Sequence, residues 1–183
     1  MATQEQNNTQ RKFRGLIADD AQVTRRNTRL MLAEHDDVDV VAIASNGEDA
    51  VLLAESHRPD IAVLDINMPR MDGLTAFQKM SEIHPDMGCI IISAEKDENS
   101  FREAMSVGAR EYLVKPFTLD ELMEAINRVG QIVLEKRKGT AQREQIRSER
   151  ETYLKQLAHE YAKNRRADDQ AVDIFEQLAA NPD

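Results

Sequence analysis

The chain has one cysteine among its 183 residues, and no apolar run in it comes near the roughly 20 residues that span a bilayer. A single Cys89 excludes an internal disulfide. Its place at the head of the run CIII marks it as a small buried hydrophobe rather than a reactive thiol. The opening stretch MATQEQNNTQRK is polar and holds no apolar segment, so nothing there resembles a signal peptide. These absences point to a soluble chain of a reducing cytoplasm, with no membrane partner. Basic side chains, 24 against 33 acidic, are outnumbered, and unevenly so. The net charge of −9 is already reached over residues 1–134, with 14 basic and 23 acidic side chains; residues 135–166 carry ten basic against five acidic, and residues 167–183 five acidic and none basic. An acidic domain followed by a basic segment raises nucleic-acid binding as a question. The basic residues there are interleaved with Glu144, Glu149, Glu151 and Glu160, the pattern of a solvated helix laced with ion pairs, so no nucleic-acid partner is expected.

What is present is a regular alternation. Apolar, mostly β-branched runs at 14–18, 38–44, 60–64, 88–93 and 110–114 read as strands, and the segments at about 22–35, 47–57, 73–83, 98–107 and 118–137 read as helices. Strands alternating with helices of this length predict an α/β fold: a five-stranded parallel sheet, doubly wound, covered on both faces. The punctuation agrees. Asn46 is placed to cap the second helix, Gly108 to end the fourth, and Thr118 with Glu121 forms a capping box for the fifth. A length of 183 residues and 41% hydrophobic content allow one such domain with a proper core, plus an appendage.

Polar residues stand where the strand runs end: Asp19 and Asp20 after LIA, Asp65 after IAVL, Ser93 after CIII, Lys115 after YLV. The carboxyl ends of parallel strands lie along one edge of the sheet, so these side chains converge. Singly, each has a plain structural explanation as a turn residue or cap. Together they predict a pocket of three carboxylates, a hydroxyl and an ammonium. Clustered carboxylates repel one another unless a cation neutralises them, which points to a divalent metal and a phosphoryl group. Asp65 is the candidate nucleophile, since a carboxylate oxygen can attack phosphorus to give an acyl phosphate. A haloacid-dehalogenase-type phosphatase also uses a strand-end Asp but needs a second Asp two residues on, where this chain has Asn67.

The segments IADD (17–20), LDINMPRMDG (64–73), IISA (91–94) and GAREYLVKPF (108–117) resemble, in order, the receiver domain of two-component response regulators. The resemblance covers residues 12 to about 135 and implies a flavodoxin-like (βα)5 receiver. It implies Mg²⁺ as cofactor, held directly by Asp20, Asp65 and the main-chain carbonyl of Asn67, with Asp19 acting through a metal-bound water. Asp65 becomes the phosphoacceptor. Lys115 neutralises a phosphoryl oxygen, aimed by a cis bond to Pro116. Ser93 is the switch hydroxyl and Tyr112 the switch aromatic. The implied partner is a sensor histidine kinase or a phosphotransfer protein. Such a protein is expected to be no enzyme toward other substrates, only a phosphoacceptor that promotes its own phosphorylation and dephosphorylation.

The expected organisation is a disordered segment at 1–11, the receiver at 12–138 and a helical extension at 139–183. After Gly139 the pattern predicts a helix at about 141–164 bearing Ile146, Tyr153, Leu154, Leu157 and Tyr161, a turn at NRRADD, and a second helix at about 168–180 bearing Ala171, Val172, Ile174, Phe175, Leu178 and Ala179. This hairpin resembles a single tetratricopeptide repeat. A lone repeat cannot bury its own face, so it is expected to make a homodimer or dock a downstream protein. The alternatives are a single-domain phosphoryl shuttle with a passive tail, or the front part of a longer receiver–tetratricopeptide or receiver–ATPase protein.

Overall fold

The computed structural model describes residues 11–96 and 98–163. The first ten residues, the turn at NRRADD and the second tail helix lie outside the described residues. The chain divides into two units, residues 1–135 and 136–183.

In the first unit five parallel strands, β1 (Phe13–Ala18), β2 (Val38–Ala44), β3 (Ile61–Asp65), β4 (Gly88–Ser93) and β5 (Glu111–Val114), form one sheet in the order β2-β1-β3-β4-β5. Between them run α1 (Gln22–Ala33), α2 (Gly47–His57), α3 (Gly73–Ile83) and α4 (Glu98–Ser106), and after β5 comes α5 (Leu119–Lys163). The expected α/β class and strand order of appearance hold, each boundary in this unit moving by at most two residues. From β1 the chain first steps outward to β2 and then back across to β3, so the sheet's switch point, where open α/β sheets bind their ligands, lies between β1 and β3.

Period-two alternation explains why the strands read as unbroken apolar runs. Leu16, Ala18, Ala62, Leu64, Cys89 and Ile91 face the core that also holds Ala50, Ala54, Leu74, Phe77, Met80 and Ala104 of α2, α3 and α4. Ile17, Ile61, Val63, Ile90 and Ile92 face the other core, with Leu32 of α1 and Leu122, Ala125, Ile126, Val129 and Val133 of α5. Each fully buried Leu or Ile is worth about 1.5–3 kcal/mol relative to exposure. Cys89 is fully buried, as its neighbours in the run predict, and burial pushes its thiol pKa well up.

The caps hold as expected. Asn46 Oδ1 accepts from the Asp49 N–H at 2.9 Å, and Thr118 and Glu121 exchange the two bonds of a capping box. Gly108, at φ +96°, ends α4 in a conformation that other residues rarely adopt.

One expectation needs correcting. The fifth helix does not pause near Gly139; α5 is a single helix of 45 residues to Lys163. A glycine inside a helix costs only about 1 kcal/mol relative to alanine, and the residues around it, Lys136, Arg137, Lys138, Ala141, Gln142 and Arg143, are strong helix formers with no proline among them. In the second unit residues 141–153 of this helix are all exposed, Ile146 at 60% and Tyr153 at 62%, and Arg147 pairs with Glu151 one turn on at 3.4 Å.

Candidate functional site

The carboxyl ends of β1 and β3 flank the switch point, and each ends in acid. Asp19 is fully buried, Asp65 is 4% exposed, and Asp20 lies open to solvent. One oxygen from each of the three lies within 4.8 Å of the others. Lys115 enters from the end of β5. Its ammonium donates to Asp19 Oδ2 at 2.6 Å and to Asp65 Oδ1 at 2.8 Å, and its peptide bond to Pro116 is cis, as expected. The other Asp19 oxygen, Oδ1, accepts from the Ala21 N–H at 2.8 Å.

The electrostatics follow from crowding. Burial raises the Asp65 pKa above its ordinary value, and Asp19 and Asp20 push it further up while Lys115 pulls it back. Burial alone would lower the Lys115 pKa, but its hydrogen bonds and attraction to Asp19 and Asp65 outweigh that, and it stands above the ordinary lysine value. Two negative charges beyond what Lys115 offsets are thus held together by the fold. A set of hard oxygen donors carrying this charge suits a divalent cation of the Mg²⁺ kind.

Ser93 closes β4 beside these groups, buried, with Oγ accepting from the Glu95 N–H at 3.0 Å, while its carbonyl accepts from the Lys115 N–H at 2.7 Å. Tyr112 is half-buried on β5. Its hydroxyl donates to the Glu95 carbonyl at 3.0 Å and its ring meets Phe101 of α4 edge-on, centroids 5.7 Å apart. Asn67 is exposed on the loop after β3, its amide reaching Glu95 Oε1 at a long 3.5 Å. Ser93, Tyr112 and Asn67 therefore all touch Glu95, whose second carboxylate oxygen accepts from Ser100 at 2.8 Å.

Three further residues were not singled out from the sequence. Phe101 supports Tyr112. Gly73 opens α3 so close to β3 that a Cβ there would sit on the Asp65 carbonyl, and its N–H donates to Ile66 O at 2.9 Å. Arg25, one turn into α1, donates from Nη1 to the carbonyls of Asp19 at 2.6 Å and Asp20 at 2.8 Å. An Arg five residues past the acid pair was the available signal for it.

The response regulator receiver domain family matches residues 16–127. This chain belongs to that family. The receiver is 38% identical over 113 residues to the chemotaxis protein CheY of Bacillus subtilis, a match covering 62% of this chain and 93% of that protein. It is 35% identical over 120 residues to the transcriptional regulatory protein DegU of Brevibacillus brevis, covering 66% of this chain but only 51% of DegU. The chain thus spans about half the length of that relative. Among solved structures, the CheX–CheY–BeF3–Mg²⁺ complex from Borrelia burgdorferi matches with a TM-score of 0.61 at 29% identity, over 65% of this chain and 90% of that one. The receiver of a two-component response regulator, with the fold expected from its alternating elements, is therefore what residues 16–127 form.

Proposed function

We propose that the receiver takes a phosphoryl group onto Asp65 from a phosphohistidine of a sensor histidine kinase or phosphotransfer protein, and that the resulting change at Ser93 and Tyr112 governs a protein contact made through the C-terminal helices. The observation that carries it is the meeting of Asp19, Asp20, Asp65 and Lys115 at the switch point.

In the transfer, an Asp65 carboxylate oxygen forms a bond to phosphorus as the P–N bond breaks, and the leaving imidazole nitrogen keeps the electron pair. The reaction needs no general base, because a carboxylate nucleophile has no proton to give up; it needs orientation and charge neutralisation. Asp20, Asp65 and the Asn67 carbonyl are the direct holders of Mg²⁺ in this reading. Asp19 reaches it through water, consistent with both its oxygens being engaged by Ala21 and Lys115. When bound, the cation supplies positive charge beside the phosphoryl oxygens. Lys115 trades its bond to Asp65 for one to a phosphoryl oxygen. Ser93 turns its hydroxyl from the Glu95 N–H toward another, and Tyr112, tied to the same residue, follows. The chain promotes its own phosphorylation and dephosphorylation and acts on no other substrate.

The output is the tail. Tyr112, Phe101 and the first part of α5 border one face of the receiver, and α5 is the element that leads into the exposed segment with Ile146 and Tyr153. A tail hairpin that dimerises or docks a partner is the use this arrangement supports. The test is incubation with acetyl phosphate and Mg²⁺ followed by intact mass. Wild type gains one phosphoryl group and Asp65→Asn none; undiminished labelling of that variant sinks the assignment.

A further inference from the structure

The β1–α1 turn has to present two carboxylates side by side, and its usual reinforcement is missing. Ala21 occupies the N-cap of α1 and offers no side-chain acceptor, and the first turn of the helix carries no acid. Instead Arg25 folds back over the start of its own helix. Nη1 carries two hydrogens, and the carbonyls of Asp19 and Asp20, 2.6 and 2.8 Å away, take both. Two consecutive carbonyls tied to one planar group leave little freedom in the dihedrals between them. Those dihedrals set the directions in which Asp19 and Asp20 leave the backbone. Arg25 also lines an open cleft with Ile43, Ser45, Asp49 and Leu52, so its truncation leaves no buried void.

We infer that Arg25 is a positioning residue: through the Asp19 and Asp20 carbonyls it holds the acid pair in the arrangement that binds the divalent cation. The inference rests on the proposed reading of that pair as the Mg²⁺ site. Its sign separates it from simple electrostatics. A guanidinium acting only as a charge repels the cation, so removing it would tighten binding. A brace predicts the reverse, and the loss falls in the roughly 10–100-fold range seen for groups that orient metal ligands.

The experiment is calorimetric Mg²⁺ titration of the full chain as wild type, Arg25→Ala and Arg25→Lys, with hydrogen exchange at the Ala21 amide in chelator. Arg25→Ala should bind Mg²⁺ about tenfold or more weakly. Arg25→Lys, which keeps a charged donor able to reach a carbonyl, should recover part of the loss. In the metal-free protein the Ala21 amide should exchange faster in Arg25→Ala while core amides of β3 and β4 do not. Equal or tighter Mg²⁺ binding by a folded Arg25→Ala overturns the inference, as does unchanged Ala21 exchange. Failure of wild type itself to bind Mg²⁺ would overturn the reading beneath it, and the metal-free exchange then still decides whether Arg25 braces the turn. If Arg25→Ala does not fold, Arg25→Lys carries the comparison, and affinity within twofold of wild type with unchanged exchange rejects the brace.

Discussion

At the scale of single residues, the division of labour between Lys115 and Asp20 is open to a direct test. The ammonium touches carboxylates that would hold the metal but is itself a cation, so it gives the metal nothing. Lys115→Ala should slow acetyl-phosphate labelling by about 100-fold or more, the usual cost of removing a donor from a developing anion, while leaving Mg²⁺ affinity unchanged or higher. Asp20→Asn should lose affinity outright. Equal loss in both variants, measured by calorimetry, rejects the scheme. Asp65 makes a second prediction, about stability. Its folded pKa lies above its ordinary value of 3.8. A carboxyl raised in this way contributes stability that is fully present below the unfolded pKa and lost as pH rises through the folded one. In chelator, Asp65→Asn should therefore melt at a higher temperature than wild type at neutral pH, the gap narrowing as the solution is acidified; a gap independent of pH would contradict it. Asp19, Asp20, Asp65, Ser93 and Lys115 were legible because strand ends in a parallel sheet share one edge, so one-dimensional position fixes three-dimensional meeting. Arg25 was not, because its bonds go to main-chain carbonyls, and an Arg five residues past an acid pair says little by itself of such bonds.

Elements show the same contrast. The strands, α1 to α4 and the start of α5 could be read because short apolar runs mark the strands, and Asn46, Gly108 and Thr118 each have a specific job at a helix end. The end of α5 could not, because Gly139 reads as a stop while the residues on both sides favour continuing. A Cβ at that position would meet nothing within 4 Å. Gly139→Ala should accordingly add helix stability of up to about 1 kcal/mol, read as greater helical signal and a later loss of it on heating; a decrease would mean the helix does break there. Gly73→Ala is the opposite case. Its methyl has only the Asp65 carbonyl to displace, so it should slow labelling and lower the melting temperature together. The Phe101 contact to Tyr112 was hidden for a different reason: it depends on which face α4 turns to β5, which period alone leaves open.

For the whole molecule the question is what the segment beyond the receiver contributes. Replacing Ile146 and Tyr153, both exposed on α5, with Ser should leave labelling of Asp65 intact and weaken self-association or partner binding by about tenfold or more, one or two buried apolar side chains' worth. Light scattering with and without beryllofluoride reads this; an unchanged assembly would make the tail passive and favour the shuttle. The two units also have unlike chemistry: all of the net negative charge of the chain is already present before residue 135, and the basic helix that follows reverses sign. Added salt should therefore shift tail contacts more than it shifts phosphorylation. Cys89 offers a last use that concerns neither signalling nor assembly. It is the sole thiol of the chain, and it lies fully buried on β4, one strand in from the β5 edge of the sheet. A thiol reagent can reach it only when that sheet comes apart, so its modification rate is a clock for opening of the native state, with no second thiol to confuse the count. Any ligand that holds the acid cluster together slows that clock in proportion to its affinity, turning one inert side chain into a gauge of the site it never touches.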